Sequence, residues 1–593
     1  MIDKFEKKWQ KPKIAGWKNN KTILFGIVVK GGQILILLSN KSQNQWQLPM
    51  VEQGPTESPE DCLRRGIKGQ TGLDVEVIMP LIKINKFFLI KVKKESQELI
   101  LSKKYQASSW VSKDKFSLYD FPEVIKKVTE EIFKIKILNN LDFFENFWES
   151  LDERKRKILE KIETSNKSIF ISGRAGTGKS YLIDGFRNIT MKNVVVLAPT
   201  GVAAVNVGGE TIHSFFHFKP NITPSQVSEI ETKYFRELYR VIDTIIIDEI
   251  SMVRSDLLDC VDEFLKLHRN NFNSPFGGVQ MIFIGDPYQL PPVVTDEEEF
   301  LFDKGDYVLD EYYTYKSPYF FNAKSYEYLE KLNLLDYVLL TKVYRQKEEE
   351  REFINILDSI RTGSITDSMI ELLNKRYAPG FEPKEDEGYI YLATTKNIVN
   401  EINSSRLDKL HGKLYLFRSY VSGSFPEKHF PAPKILELKE GAQVMLLNND
   451  ASDRWVNGDI GRVVEIKNDG LKVEIQNRGI FDVGPYSWEK IKFRFNKELR
   501  KIESVVEGKF IQYPLKLAWA TTIHKAQGKT FDRAIIDFGK GTFAPGQAYV
   551  ALSRCTSLSG LVLKQPIEKR YIFIDNRVGQ FMKKIFVINN QHS

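Results

Sequence analysis

The chain has 593 residues, of which 42% are hydrophobic and 27% charged, which excludes a disordered chain and predicts several packed domains. Lys and Arg number 86 against 77 Asp and Glu, and this net charge of +9 is compatible with a nucleic-acid partner. Three scattered cysteines exclude a disulfide framework and a thiolate zinc site, and no apolar run approaches the ~18 residues of a membrane span.

The N-terminal sequence MIDKFEKKWQKPK carries charged residues from its start and lacks the apolar segment of a secretory signal. Cysteines that cannot form a disulfide framework are typical of reducing compartments. We therefore expect an intracellular protein without a membrane partner. The expected location is the cytoplasm if the source is a bacterium or phage, and the nucleus or mitochondrion if it is a eukaryote.

The first predicted domain spans residues 1–140. Thr22–Val29 and Gln33–Leu38 are strand-like runs, and a helical pattern begins near Ser58. Trp46-Gln47-Leu48-Pro49 precedes a segment in which Glu57 and Arg65 fall at the fixed offsets of a Nudix box, and Thr71-Gly72-Leu73 closes that segment. Residues 20–140 therefore resemble an α+β Nudix domain.

That resemblance implies hydrolysis of nucleoside diphosphate derivatives, with magnesium held by glutamates on the box helix. Gly66, Gly69 and Gln70 stand at the glutamate positions, and Met50-Val51 replaces the opening glycine pair. Glu57 alone is a weak site for a hard cation, which needs several oxygen ligands. We expect a Nudix-like fold without Nudix catalysis, used either for DNA recognition or as a protein-interaction or structural module.

The second predicted domain spans residues 141–340 and begins with the charged helical pattern LDERKRKILEKIE. Its predicted strands are Ser168–Ser172, Val194–Ala198, Thr244–Asp248 and Met281–Gly285. Helical segments separate these β-branched runs. The alternation predicts an α/β domain with parallel strands and crossover helices.

The third predicted domain spans residues 341–593, with strands at Tyr389–Ala393 and Ala534–Phe538. Between these strands, residues 441–513 form short alternating runs separated by turns such as Val456-Asn457-Gly458-Asp459. This pattern predicts a small β-barrel inserted into a second α/β domain.

A phosphate-binding loop is predicted at Gly173-Arg174-Ala175-Gly176-Thr177-Gly178-Lys179-Ser180, between a strand and a helix. We expect nucleotide contacts from Gly173, Gly176, Thr177, Gly178, Lys179 and Ser180. Backbone N–H groups would wrap the phosphates, and Lys179 would reach their β and γ oxygens. The Ser180 hydroxyl would ligate Mg2+.

Two carboxylates, Asp248 and Glu249, follow the apolar run Thr244-Ile245-Ile246-Ile247. At the end of such a strand we expect Asp248 to hold Mg2+ through water and Glu249 to act as general base on the attacking water. No N-K-x-D guanine signature follows, which favours ATP over GTP.

A series of further motifs follows in a fixed order. It comprises Ala198-Pro199-Thr200-Gly201, Thr211-Ile212-His213-Ser214-Phe215, Glu249–Val253, Gly285–Val293, Val343-Tyr344-Arg345-Gln346, Thr522–Gly528 and Tyr549–Arg554. In this order they resemble the motifs of superfamily 1B DNA helicases, specifically of the Pif/RecD-type family. The resemblance covers residues 150–565 and implies two RecA-like P-loop domains with an inserted barrel.

The family pattern implies roles for particular residues. Gln289 would sense the γ-phosphate, and Arg345 and Arg554 would act as arginine fingers from the second RecA-like domain. Gly528 is assigned to the nucleotide site. The residues nominated for phosphates of the DNA strand are Thr200, His213, His524 and Lys525. Phe215 or Phe216 would either stack on a base or belong to the core.

The resemblance implies an ATP- and Mg2+-dependent helicase that moves 5′ to 3′ on single-stranded DNA and unwinds duplex, forked or structured DNA. The roles it implies are replication, repair, recombination, and telomere or G-quadruplex maintenance. We expect a monomeric motor. The family's adenine-reading glutamine has no counterpart in Leu151-Asp152-Glu153-Arg154-Lys155, so other nucleotides are also candidates. Two alternatives stay open: a bifunctional Nudix hydrolase docked to DNA by the helicase part, and an ATP-gated clamp that binds without unwinding.

Overall fold

The computed structural model describes residues 23–591 with gaps. The positions left out within that range are 31–32, 41–44, 55–56, 81–86, 94–96, 122–146, 148, 175, 191, 231–235, 296–297, 299–301, 303–314, 342–349, 385–386, 451, 453, 468–469, 477, 498–500, 540 and 543. Among the helices of the described part, none has the length and apolar character needed to cross a membrane.

The chain divides into two compact units. One consists of Met1–Asn166 and Tyr181–Lys192, and the other of Lys167–Ser180 and Asn193–Ser593. All residues predicted to bind or hydrolyse nucleotide therefore fall in the second unit.

The first unit contains a seven-stranded mixed sheet. Its strands are β1 Ile23–Lys30, β2 Gln33–Ser39, β3 Trp46–Gln47, β4 Met50–Glu52, β5 Val75–Pro80, β6 Phe87–Val92 and β7 Tyr105–Val111. The order is β3-β2-β1-β6-β5, with β4 also paired to β1 and β7 to β2. Strands β1 and β6 run parallel, whereas the other pairs are antiparallel. The two predicted strands are thus confirmed within a residue at each end.

Helices α1 Pro59–Thr71 and α2 Glu153–Thr164 also belong to the first unit. The Ser58 hydroxyl accepts a hydrogen bond from the Asp61 N–H, and Pro59 occupies the first helical position, so local sequence fixes where α1 begins. Its apolar face, which includes Leu63 and Ile67, packs in the core of the sheet.

The second unit begins with an α/β lobe, here called the first lobe. Its strands are β8 Ser168–Gly173, β9 Val194–Ala198, β10 Glu210–Thr211, β11 Thr244–Ile247, β12 Gln280–Gly285 and β13 Leu335–Leu340. All pairs in the order β10-β9-β11-β12-β8-β13 are parallel. The four predicted strands are confirmed, and the C-terminal ends of β8, β11 and β12 lie at one edge, where the site forms.

Helix α3 Lys179–Ile189 follows β8, and its residues from Tyr181 onward belong to the first unit. The other helices between these strands are α4 Gly201–Asn206, α5 Ile212–Phe216, α6 Arg236–Val241, α7 Ser255–Arg269 and α8 Lys324–Lys331. Short 3₁₀ helices lie at Pro224–Glu229, Ile250–Met252, Pro275–Gly278 and Phe320–Asn322. Phe215 and Phe216 are buried in the core of this lobe against Tyr239 and Phe264. The structure therefore favours the core alternative for both phenylalanines over base stacking.

The later strands are β14 Ile390–Ala393, β15 Tyr415–Arg418, β16 Tyr420–Gly423, β17 Ile435–Leu438, β18 Gln443–Leu446, β19 Ile460–Ile466, β20 Leu471–Ile475, β21 Gly479–Val483, β22 Tyr486–Asn496, β23 Lys501–Gln512, β24 Leu515–Leu517, β25 Ala520–Thr522, β26 Ala534–Asp537 and β27 Leu561–Leu563. The later helices are α9 Arg351–Thr362, α10 Asp367–Asn374, α11 Lys396–Lys409, α12 Gln547–Leu552 and α13 Asn576–Gln591.

The second lobe is a parallel sheet in the order β25-β14-β26-β27. Helices α9, α10 and α12 share its core, and α11 contacts β25 and β14. Helix α13 packs in a different domain from the one that the sequence predicts for it. Its residues Val578, Phe581, Met582 and Ile585 pack in the core of the first lobe, so the end of the chain returns across the predicted boundary at residue 340.

The segment inserted into the second lobe forms three small sheets. Strands β21-β20-β19-β18-β24 make a five-stranded antiparallel sheet over most of the predicted barrel region. The long hairpin β22–β23 pairs with β16 instead, and β15 pairs with β17. Within the described residues β21 and β24 end the five-stranded sheet, so closure into a barrel stays a prediction.

The β22–β23 hairpin reaches the first lobe. The Phe493 N–H donates to the buried carboxylate of Glu210, and the Ile502 N–H donates to Asn193 Oδ1 at 3.1 Å. Phe493 also belongs to the core of the first lobe. The insertion therefore links the two lobes of the second unit.

Candidate active site

The phosphate-binding loop joins β8 to α3, as expected. Gly176 and Gly178 have φ of 80° and 82°, in the left-handed region that favours glycine. A Cβ on Gly173 would lie 2.9 Å from the Cβ of Leu340 in the neighbouring strand β13. Close backbone packing therefore shapes this loop for phosphates.

Lys179 lies over the loop. Its Nζ donates to the carbonyls of Gly173 at 2.8 Å and Arg174 at 3.0 Å. The Thr177 hydroxyl also donates to the Arg174 carbonyl, at 2.9 Å. Ser180 follows at the second position of α3 and is exposed. The Lys179 ammonium is thus hydrogen-bonded to the same loop that would bind the phosphates.

Carboxylates face this ammonium. Burial lowers the pKa of Lys179, and the negative charges of Asp286, Glu249 and Asp248 oppose that shift. The three acids come from the ends of two neighbouring strands, β11 and β12. The site therefore combines one lysine with acids from the ends of two adjacent parallel strands.

Asp248 and Glu249 occupy the turn after β11. Asp248 is buried, and its N–H donates to the Leu197 carbonyl at 2.9 Å. Glu249 is half-buried and has φ of 50°, a left-handed conformation that is uncommon outside glycine. Burial raises the pKa of Glu249, while the Lys179 charge lowers it. A left-handed backbone at a non-glycine residue is strained and persists where the surrounding structure holds it.

The residues assigned to magnesium fit that ion chemically. Ser180 offers a hydroxyl and Asp248 a carboxylate close enough to act electrostatically on Lys179. No cluster of three His, Cys, Asp or Glu side chains is present in the part of the chain that the structure describes. A magnesium ion here would complete its shell with phosphate oxygens and water, which is usual for this ion.

Gln289 follows β12 and is buried at the contact between the lobes. Its N–H donates to the Asp286 carbonyl at 2.9 Å, and its Oε1 accepts from Gln527 Nε2 at 2.8 Å. Gly546 of the second lobe has φ of 73°, and a Cβ there would lie 2.4 Å from the Tyr288 carbonyl oxygen. The two lobes therefore approach to backbone contact beside Gln289.

Arg554, predicted as an arginine finger, is fully buried in the second lobe. Its guanidinium donates to the carbonyls of Val550 at 2.8 Å and Lys529 at 2.9 Å, and to Ser553 Oγ at 2.8 Å. Its charge nevertheless lowers the pKa of Glu249. The second predicted finger, Arg345, lies outside the described residues. Both finger roles stay predictions.

Sequence reasoning missed two charged residues of α9 that meet the site. Arg361 forms two hydrogen bonds with Asp286, at 2.8 and 3.2 Å, and Asp358 pairs with Arg174 of the phosphate-binding loop. Asp358 and Arg361 are three residues apart and hence on one helix face. That spacing marks a charged face, but it carries no information about the distant partners.

The residues nominated for DNA lie outside the acidic site. Thr200 is exposed and caps α4 by accepting the Ala203 N–H at 3.3 Å. His524, Lys525 and Gly528 are exposed on the turn after β25, whereas burial lowers the pKa of the half-buried His213. All four DNA contacts and the Gly528 nucleotide contact stay predictions.

His429 is another residue that sequence reasoning missed. A Cβ on Gly201, next to Thr200, would lie 2.3 Å from His429 Cδ2. His429 belongs to the 3₁₀ turn Glu427–His429 of the insertion. The insertion therefore reaches the first lobe beside a predicted DNA contact.

Comparison with known proteins identifies the family. The model of a family described as PIF1-like helicase matches residues 150–371. The ATP-dependent DNA helicase Pif1 of Bdellovibrio bacteriovorus is 33% identical over 432 residues, covering 71% of this chain and 89% of the relative. The ATP-dependent DNA helicase PIF1 of Emericella nidulans is 31% identical over 496 residues, covering 73% of this chain. The chain spans 62% of that fungal relative's length.

Solved structures agree in fold. Bacteroides sp Pif1 in complex with ADP-AlF4 is 35% identical with a TM-score of 0.68, covering 74% of this chain and 98% of that chain. Bacteroides Pif1 bound to ssDNA is also 35% identical with a TM-score of 0.51, covering 73% and 96%. The two α/β lobes therefore have the RecA-like fold of these helicases. Since a relative above 30% identity is matched over most of its length, the chain belongs to the PIF1-like helicase family.

Proposed function

We propose that this chain is an ATP-dependent DNA helicase that moves 5′ to 3′ on single-stranded DNA. The observation that carries the proposal is one site in which the phosphate-binding loop, Asp248, Glu249 and Gln289 of the first lobe meet Gln527 of the second. The matched relatives carry the description ATP-dependent DNA helicase, and related structures hold ADP-AlF4 or ssDNA.

The chemistry follows from the residues. Lys179 and the loop N–H groups would bind the phosphates, and Ser180 and Asp248 would hold Mg2+, which neutralises charge on the phosphates when bound. Glu249 would accept the proton of the attacking water, because it is held at the strand end and faces Lys179. ATP is the proposed nucleotide, and other nucleoside triphosphates stay candidates because residues 151–155 contain no glutamine to read adenine.

Hydrolysis would be linked to movement through the contact between the lobes. Gln289 senses the γ-phosphate in this proposal, and Gln527 connects it to the turn that carries His524 and Lys525. Arg345 and Arg554 would stabilise transition-state charge after rearrangement of the lobes. Repeated closing and opening would then shift the DNA contacts of one lobe relative to those of the other.

A lysine cluster supports binding to DNA phosphates. Lys516 pairs in register with Met445, and Met445 Sδ accepts a hydrogen bond from Lys529 Nζ at 3.1 Å, so both lysines meet at one methionine. Burial and the charge of Lys525 lower the pKa of Lys529 to about 8, and burial with both neighbouring lysines lowers that of Lys516. A strand phosphate would relieve this repulsion, and such contacts carry no base specificity.

Unwinding assays on forked duplexes test the proposal. Forks with a 5′ single-stranded tail should be unwound in the presence of ATP, and forks with only a 3′ tail should not. DNA binding and ATP hydrolysis without strand separation would favour the ATP-gated clamp instead. Equal unwinding from both tails would contradict the proposed direction.

We propose a monomeric motor, because both walls of the site come from one chain. The unwinding rate under single-turnover conditions should rise in proportion to the fraction of forks with one bound chain. A rate that rises with the square of protein concentration would show instead that two chains act together.

We infer that the first unit has a Nudix-like fold and does not catalyse Nudix hydrolysis. Glu57, the one acid left at a motif position of the box, is held by Arg65 through two hydrogen bonds of 2.7 Å, which lower the pKa of Glu57 to about 2. A Cβ on Gly66 would lie 2.2 Å from Val51, so a glutamate does not fit there. Gln70 Nε2 donates to the Met50 carbonyl at 2.6 Å, which turns that side chain to the backbone.

The assay for Nudix hydrolysis uses a variant without ATPase activity, because phosphate released by the ATPase would mask that activity. In the full chain carrying Lys179→Ala, we expect no magnesium-dependent release of phosphate or pyrophosphate from nucleoside diphosphate derivatives. Adding Glu57→Gln should change nothing. Hydrolysis that disappears with Glu57→Gln would establish the bifunctional alternative. Deleting residues 1–140 should leave DNA-stimulated ATPase intact, and reduced fork unwinding by that variant would support a DNA-gripping role over a structural one.

A further inference from the structure

Helix α9 of the second lobe contacts the phosphate-binding loop and the turn after β12 through two ion pairs. Asp358 pairs with Arg174 of the phosphate-binding loop. Arg361 holds Asp286 with its Nη2 at 2.8 Å from Oδ1 and its Nε at 3.2 Å from Oδ2. Because the two residues lie one helical turn apart, α9 is fixed at two points of the first lobe.

The second ion pair is deeply buried. Asp286 is 0% exposed and the Arg361 side chain 12%. The guanidinium lies 4.5 Å from the Tyr288 ring centroid, close enough for a cation–π contact. A two-pronged arginine–carboxylate pair with little water access is geometrically specific, and removing one partner leaves a buried charge.

Asp286 is also placed to affect bound phosphates. Its charge acts on both Lys179 and Glu249, the residues assigned to the phosphates and to the attacking water. Its carbonyl accepts the Gln289 N–H at 2.9 Å, and its Oδ1 accepts the Tyr288 N–H at 3.3 Å. The same residue therefore shapes the turn that presents Gln289 and brings negative charge toward the γ-phosphate position.

We propose that Arg361 is a positioning residue for ATP: by neutralising Asp286 it lets the first lobe accept the γ-phosphate and holds the Gln289 turn in place. The proposal rests on the proposed ATPase function. It assigns to the second lobe a contribution to ATP binding through Asp286, separate from any arginine finger. Without Arg361, the buried Asp286 carboxylate would repel the γ-phosphate and compete for Lys179.

The test compares two nucleotides by equilibrium binding to the full chain. The probes are ADP and a non-hydrolysable ATP analogue. Arg361→Ala should weaken the ATP analogue by about tenfold and ADP by less than about threefold, because only ATP places charge at the γ position. Arg361→Lys should restore part of the difference. Arg361→Gln, which keeps hydrogen bonding without charge, should repeat the loss if the alanine variant unfolds.

A second substitution separates charge from packing. Asp286→Asn combined with Arg361→Ala should recover most of the affinity for the ATP analogue, since the unpaired carboxylate is then gone. Arg376→Ala is the matched control: Arg376 also lies in the second lobe, but its guanidinium donates to carbonyls of that lobe, at Leu561 and Ser559. It should leave the ratio of the two affinities unchanged.

Two results would overturn the proposal. One is equal weakening of both nucleotides by Arg361→Ala, which would indicate a structural role alone. The other is failure of Asp286→Asn to recover the ATP analogue. A native chain that binds both nucleotides but never unwinds DNA would contradict the helicase function while leaving this nucleotide comparison valid.

Discussion

Gln527 Nε2 donates a hydrogen bond of 2.8 Å to Gln289 Oε1, and this bond joins the two lobes at the nucleotide site. Gln289 follows β12 of the first lobe, and Gln527 lies on the turn after β25 of the second. The same turn carries His524 and Lys525, the proposed DNA contacts. A signal from the γ-phosphate would thus reach the turn with the proposed DNA contacts through this pair of amides.

Gln527→Ala tests this connection. We expect the stimulation of ATPase by single-stranded DNA to fall by about tenfold, with basal ATPase little changed, because the amide pair is lost but the hydrolytic groups remain. Gln512→Ala is the control, since Gln512 Nε2 donates to the Phe417 and Pro433 carbonyls within the insertion. Undiminished stimulation in Gln527→Ala would exclude the amide pair as the route of coupling.

Lys179→Ala should abolish ATP hydrolysis while single-strand binding persists, because Lys179 lies in the phosphate-binding loop and not among the exposed DNA candidates. Phosphate release and fluorescence anisotropy with a labelled oligonucleotide measure the two effects. Lys509→Ala, which removes an exposed lysine paired with Glu489, should change neither. Substantial remaining hydrolysis would contradict the assignment of the loop.

Glu249→Gln should bind ATP but hydrolyse it at least about a hundredfold more slowly, because a general base typically contributes that much to the rate. Glutamine keeps the size of the side chain at a backbone with φ of 50°. Single-turnover hydrolysis with the nucleotide prebound measures the chemical step. Glu263→Gln, an exposed acid paired with Lys266, serves as control. Normal turnover in Glu249→Gln would mean that another group is the base.

Single-strand binding should weaken with salt at a slope of about −0.7 for each phosphate neutralised. Replacing Lys516, Lys525 and Lys529 together by alanine should make the slope shallower by about 2. The measurement is binding to one oligonucleotide at several salt concentrations, repeated with another base sequence. An unchanged slope would place the phosphate contacts elsewhere, and a strong sequence preference would contradict phosphate tracking.

A matched triple variant controls for the loss of charge. Its lysines each pair with a carboxylate in the structure and are Lys316, Lys497 and Lys584. Replacing them by alanine removes the same formal charge. The salt slope should then change by much less than with the lysine cluster.

Two glycines of α1 should respond oppositely to alanine. Gly66→Ala should lower the free energy of unfolding of the first unit by about 1–3 kcal/mol, because its Cβ would lie 2.2 Å from Val51. Gly69→Ala should raise it by about 0.5–1 kcal/mol, since no atom lies within 4 Å of its Cβ and alanine favours helix. Thermal or denaturant unfolding of the full chain, followed by hydrogen exchange in α1, measures both. Equal effects would contradict the packing of Val51 on this helix.

Much of the second unit could be predicted from sequence because its signals are local. Val194–Ala198 forms a strand with the predicted bounds, and the phosphate-binding loop lies between a buried strand and a helix as expected. Short apolar runs, glycines and helix caps act over a few residues, so the strands, turns and helix ends that they cause can be predicted from the sequence. The resemblance to the helicase family predicted how the two α/β domains and the insertion follow one another along the chain.

The tertiary structure decided what depends on distant partners. Arg361 meets Asp286 across 75 residues, α13 returns to the first lobe, and Arg554 is buried against carbonyls of its own lobe. Phe215 and Phe216 are apolar in either of their two predicted roles, and only packing showed that they belong to the core. The physical reason is that burial and charge pairing are set by which elements meet, whereas local sequence sets only which elements form.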